Sequence, residues 1–174
     1  RTVTGAGSCV LSTEGQGAYI SHVTIGKVID YGIKDANNMG AAMAPAAADP
    51  IITHLHDTNL QPSDFDMIIT GDLGLFGKDI LNESLIEQGY DATKVLDDCG
   101  AMIFFEEQDT HMGGSGCGCS AVVMNSGIIP MLHKGEMNRV LFVATGALLS
   151  PVSSMQGESI PGVAHAVRIE REKV

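Results

Sequence analysis

The densest run of small residues in the chain is GGSGCGCSAV, residues 113–122, and it holds two of the four cysteines. Two kinds of chemistry fit such a run. Cys117 and Cys119 could supply thiolates to a metal or a substrate, or Gly113 and Gly114 could open a helix whose unpaired N–H groups meet an anion. Spacing argues against the first, because residues two apart on a helix point about 200° away from each other. Zinc requires a full tetrahedral set, and Cys9 and Cys99 stand at no ligand spacing from this pair. The cysteines therefore read as small buried hydrophobes, with no metal site and no cofactor expected. For the glycines, an anion site and simple close packing both stay open.

Elsewhere the polar candidates are sparser. The run GDLGLFGKD begins at Gly71, at the carboxyl end of a predicted strand, where open α/β sheets bind ligands; Asp72 there could hold a cation or cap the turn. Asp97 and Asp98 of LDDCG read as solvated loop carboxylates rather than a paired acid and base. His54 and His56 share a helix but not a face, while His22 and His165 fall in strands and read as satisfied core residues.

Apolar strand-like runs alternate with helical ones, the pattern of a layered α/β fold with βαβ crossovers. Strands are expected over 8–12, 19–28, 65–70, 102–105, 140–145 and 163–170. MIIT and VLFVAT lack alternation, so both faces of their sheet should be covered. One helix should begin with Asp49 as N-cap and Pro50 in its first turn; a second, over 78–88, should end at Gly89 in a left-handed cap. A third, over 115–132, carries no charge and should be buried on all sides, with Pro130 distorting its last turn and Gly135 closing it.

At 174 residues and 18.2 kDa the chain suits one domain or one half of a larger one. A net charge of -11 with scattered lysines and arginines argues against nucleic acid as a partner. No apolar run reaches the ~18 residues of a bilayer span. Few cysteines point to a reducing compartment, and a start at RTVTGAGSCVLS without Met reads as a cut inside a longer protein.

Taken in order, GAGSCVL, ISHVTIGKVIDYGIKDANNMGAAMAPAAAD, DMIITGDLG, DDCG, GGSGCGCSAVV, NRVLFVATGALLSP and ESIPGVAHAV resemble the stage V sporulation protein AD family, thiolase-like proteins of endospore-forming bacteria. The resemblance implies a thiolase-like α/β fold. Residues 1–174 would form its C-terminal βαβαββ half, a layered αβα arrangement with a buried central helix, and residues 1–14 the closing strand of the N-terminal half. Condensing enzymes of this fold place a His after the strand matching DMIIT and an Asn in the Gly-rich turn, and thiolases add a second Cys near the chain's end. Here those places read Gly71-Asp72 and Gly114-Ser115, and ATGALLSP has no Cys.

The resemblance thus implies no catalysis and a binding role instead. Gly71, Asp72, Gly113, Gly114 and Ser115 would form one wall of a site for dipicolinic acid, with or without calcium, and backbone N–H groups of the turn would meet a carboxylate. Other SpoVA proteins would be partners at the forespore or spore inner membrane, with peripheral attachment through them, and the full-length parent would be a homodimer. The alternatives are an acyl-CoA condensing enzyme using His111 or Cys117, and a purely structural subunit of the SpoVA assembly.

Overall fold

The computed structural model describes residues 1–171; residues 172–174, the end of the expected domain range, lie outside the described residues. Five strands form one mixed sheet: β1 (Tyr19–Ile29), β2 (Met67–Thr70), β3 (Leu96–Asp98), β4 (Arg139–Ala147) and β5 (Gly162–Glu170), in the order β1-β5-β4-β2-β3. β2 runs parallel to β3 and β4, whereas β5 is antiparallel to both β4 and β1.

Helices cover both faces, as the unalternating apolar runs require. Ile68, Leu141 and Val143 point into a core shared with α1 (Met39–Thr58) and α2 (Gly74–Glu87). Ile69 and Val140 point the other way, into a core closed by a long interrupted helix. That helix comprises α4 (Gly118–Val123), a π-helical turn (Met124–Ile128) and α5 (Ile129–Lys134). Two short helices remain, α3 (Cys99–Met102) and α6 (Pro151–Met155).

α1 begins eleven residues before its expected start, at Met39 rather than Pro50. Asn38 caps it by accepting from the Ala41 N–H at 3.4 Å, and Pro45 and Pro50 both lie inside. Alanine's helix propensity and burial against β5 outweigh the two missing N–H groups. Asp49, expected as the cap, instead accepts from the Lys27 N–H of β1 at 3.3 Å.

The other differences also have local causes. Residues 102–105 form no strand, because Asp98 caps α3 and turns the chain; the strand lies just before, over Leu96–Asp98. Residues 8–12 pair with no strand and are exposed, and the preceding segment crosses α4 instead. There a Cβ on Gly7 would collide with the Ala121 carbonyl, and one on Gly118 with the Gly5 carbonyl.

Pro130 acts as expected, one turn earlier. In a continuous α-helix its ring would press on the Ser126 carbonyl, and the chain widens instead, so that the Ile129 N–H donates to the Met124 carbonyl. Asn125 Nδ2 and Ser126 Oγ then donate to the Ala121 and Val122 carbonyls at 2.8 and 2.7 Å. Burial on all sides does not hold for this helix within the chain: Cys119, Val123, Met124, Ile128 and Leu132 are buried, while Ser126 is exposed. Its uncharged far face has only the N-terminal segment against part of it.

Candidate functional site

Asp72 leaves the end of β2 and ties three elements together. Its carboxylate accepts from the Gly116 N–H at 2.8 Å and from the Thr145 hydroxyl of β4 at 3.2 Å. Gly71 permits this approach, since a Cβ there would stand 2.7 Å from Thr145 Oγ1. Burial raises the Asp72 pKa, the bonds from Gly116 and Thr145 oppose that, and the nearby Asp98 carboxylate adds to it.

Across from Asp72, the Gly-rich turn is held by its own backbone. The Gly113 N–H donates to the Thr110 carbonyl at 3.1 Å, Gly114 to Gly100 at 2.7 Å and Ser115 to Arg1 at 2.9 Å. Gly113 has φ 110°, and a side chain on Gly114 would press on Ile103 and Val3. The N–H groups expected to meet a ligand carboxylate are therefore already bonded, with Asp72 itself taking that of Gly116. Gly113 and Gly114 serve packing against Gly100; Asp72 and Ser115 come together across the Gly116 contact, and Ser115 Oγ carries no hydrogen bond within the described residues.

Cys117 and Cys119 point apart as their spacing predicts, but the expectation of buried cysteines holds only for Cys99 and Cys119: Cys9 and Cys117 are exposed, because the N-terminal segment and the start of the Gly-rich helix lie at the surface. Burial pushes the Cys119 thiol up to about 12 and the neighbouring Cys99 thiol higher still, so both are held as thiols. Among the described residues no group of three or more His, Cys, Asp or Glu side chains could hold a metal.

Two features escape sequence reasoning. Asp98 is fully buried rather than solvated, and it accepts from the Thr70 hydroxyl, the N–H groups of Leu73 and Gly74, and the Ala101 N–H at 2.7, 2.8, 2.9 and 3.1 Å. It thereby caps α2 and α3 from β3. The histidines also change places: His165 is exposed and accepts from the Gly26 N–H at 3.2 Å, His22 is exposed, and His54 is the buried one. One signal for its neighbourhood was present in β5, where Arg168 falls on the same stripe as the buried Ala164 and Ala166.

A mixed sheet with helices on both faces and a long uncharged helix behind a Gly-rich turn is the arrangement of thiolase-like proteins. The chain superposes on OleA of Xanthomonas campestris with a TM-score of 0.51 at 11% identity, over 90% of this chain and 58% of that one. With AbyA1, a tetronic acid condensing enzyme, the TM-score is 0.50 at 14% identity, over 88% and 48%. The fold is thiolase-like.

The profile of the SpoVAD family, stage V sporulation protein AD, matches residues 1–170. Stage V sporulation protein AD of Bacillus subtilis (strain 168) is 49% identical over 170 residues, 98% of this chain and 50% of that protein. The chain belongs to the stage V sporulation protein AD family, and its role is in sporulation. It spans about half the length of the curated relative it matches.

Proposed function

We propose that the chain is half of a non-catalytic binding protein for dipicolinate, free or with calcium, in which the thiolase-like site has become a ligand pocket. Its setting would be the spore inner membrane, reached through other SpoVA proteins, with the full-length protein a homodimer. The carrying observation is the pairing of Asp72 with the Gly-rich turn where a condensing enzyme would hold an imidazole and an amide. A condensing enzyme needs donors aimed at the developing enolate and oxyanion. Here a carboxylate faces a turn whose N–H groups are already bonded, so no pair of free donors is aimed at a developing enolate or oxyanion.

The same wall has two uses for a metal dicarboxylate. Asp72 offers an oxygen ligand suited to calcium, a hard cation, and the unpaired Ser115 hydroxyl offers a donor to a ligand carboxylate. Burial raises the Asp72 pKa, so the bare carboxylate is disfavoured there and a bound cation would offset that cost. The test is calorimetric titration of the full-length protein with dipicolinate, with and without calcium, beside acetyl-CoA. Saturable dipicolinate binding that Ser115→Trp abolishes supports the pocket. Turnover of acetyl-CoA with no dipicolinate signal overturns it in favour of an enzyme, and silence from both leaves the structural subunit.

A further inference from the structure

A cavity of about 440 Å³ opens where β1, the last turns of α1, and the side chains of Arg139 and Arg168 meet. It lies apart from the Asp72 site: Arg139 opens β4 and Thr145 stands near its other end, about 20 Å along the strand. Its size falls within the usual range for small-molecule pockets.

Its polar groups are unevenly satisfied. His54, only 1% exposed, has Nδ1 2.9 Å from Thr24 Oγ1, while its Nε2 has no partner; no other side-chain nitrogen or oxygen buried among the described residues lacks one. Nε2 is thus a buried polar atom without a partner, whichever ring nitrogen carries the proton. Arg168, 8% exposed, donates from Nε to Ser21 Oγ at 2.8 Å and has Nη2 3.4 Å from His22 Nε2. Nη1 of Arg168 has no acceptor within the described residues. Since no buried side-chain nitrogen among the described residues other than His54 Nε2 lacks a partner, this unused donor is open to the cavity, where a ligand can accept from it.

The nearest carboxylate does not fill that role. Glu170 accepts from Arg139 Nε at 2.8 Å and from the Tyr19 hydroxyl at 2.9 Å, stands 3.6 Å from Arg168 Nε, and is not among the residues lining the cavity. It engages the Nε side of both guanidinium groups. Asp57, the one acidic side chain on the lining, is 66% exposed and paired with His56 rather than with either arginine. What remains on the lining is the Nη side of both guanidinium groups, with Arg139 Nη1 also donating to the Asp64 carbonyl at 3.2 Å.

We propose that this cavity binds a small organic anion, whose carboxylate or phosphate oxygens accept from the Nη groups of Arg168 and Arg139. Arginine donors suit a planar or tetrahedral oxyanion. The site is independent of the dipicolinate reading, since none of Gly71, Asp72, Gly113, Gly114 and Ser115 lines it.

The test follows the histidine ring signals of the full-length protein by NMR during titration with inorganic phosphate and, separately, sodium acetate, with ionic strength held constant by sodium chloride. Saturable shifts of the His22 and His54 rings are expected with at least one anion. A response to phosphate alone assigns the ligand to phosphate esters, and one to acetate alone to carboxylates. Arg168→Gln should weaken binding about tenfold or more. Because that residue is buried, Asp57→Asn provides a second test at an exposed position; removing the like charge at the mouth should tighten binding about twofold or more. Rings unmoved by both anions overturn the proposal, as does unchanged affinity in the Asp57→Asn protein.

Discussion

Asp98 has no water to solvate it, and its four donors come from β2, the start of α2 and the start of α3. Removing the carboxylate strands those donors in the interior, each worth about 1 kcal/mol or more when left unmade. Asp98→Ala should therefore lower stability by about 3 kcal/mol or more, with Asp98→Asn intermediate because it keeps one acceptor oxygen; urea denaturation measures both. A loss below about 1 kcal/mol for the alanine variant would contradict this role. His54 carries a different signature. Burial, with Arg168 and His22 adding to it, depresses its pKa from 6.5 to about 4, so the folded protein keeps the ring neutral. Below pH 6.5 the unfolded chain takes up this proton and the folded one does not, so stability is flat above that value and falls as pH drops towards 4. His54→Phe, which keeps the aromatic packing against Phe65, should flatten that slope between pH 6.5 and 4.5; an unchanged slope would show that the ring is protonated in the fold. Neither residue could be read from its neighbours in sequence. Asp98 is distinguished only by what three distant segments donate to it, whereas Asp72 was legible because it follows an unmistakable apolar strand.

Helix pairs depend on glycine where their axes approach most closely. α1 and α2 touch at Gly40 and Gly77, where a Cβ on Gly77 would stand 2.9 Å from Gly40 Cα, a backbone atom that cannot rotate away. Gly77→Val should force the two helices apart and cost about 2 kcal/mol or more. Gly127 is the contrasting case: a Cβ there meets nothing within 4 Å, and its φ is not in the left-handed region. In this chain Gly127→Ala should be neutral or stabilising by up to about 1 kcal/mol, through helix propensity alone. Thermal melts of the two variants decide the matter, and equal losses would mean that the crossing tolerates separation. At this scale the sequence is most informative wherever burial is two-sided. MIIT and VLFVAT became β2 and β4 because a covered strand needs apolar residues on both faces. It is least informative where tertiary contact overrides local preference: two prolines mask the first half of α1, and the apolar residues 102–105 look like a strand until Asp98 turns the chain. The far face of the central helix reads as core in sequence for the same reason that it stays uncharged, but nothing among the described residues covers it fully.

For the whole molecule, two opposing terms govern behaviour in solution. The net charge of -11 makes copies of the chain repel one another, while several large apolar side chains stand open: Val10 is 96% exposed, Ile25 81% and Leu11 75%. Ile25 and its neighbours Val23 and Val28 lie on β1, which among the described residues is an edge strand paired only with β5, so apolar surface and unpaired backbone groups coincide along one margin of the sheet. Repulsion is screened beyond about 8 Å at physiological salt, whereas apolar contact is strengthened by excluded salts such as sulfate. The apolar term therefore gains ground as salt rises. Purified by itself, the 174-residue chain should elute above its 18.2 kDa mass at high micromolar concentration, and more so in sodium sulfate than in dilute buffer. Ile25→Lys places a charge on the open edge and should shift the equilibrium back towards the monomer without changing the melting temperature by more than a few degrees. A monomer at every concentration and salt would mean that repulsion dominates. Association that weakens with salt would mean that ion pairs, not this apolar margin, hold the copies together.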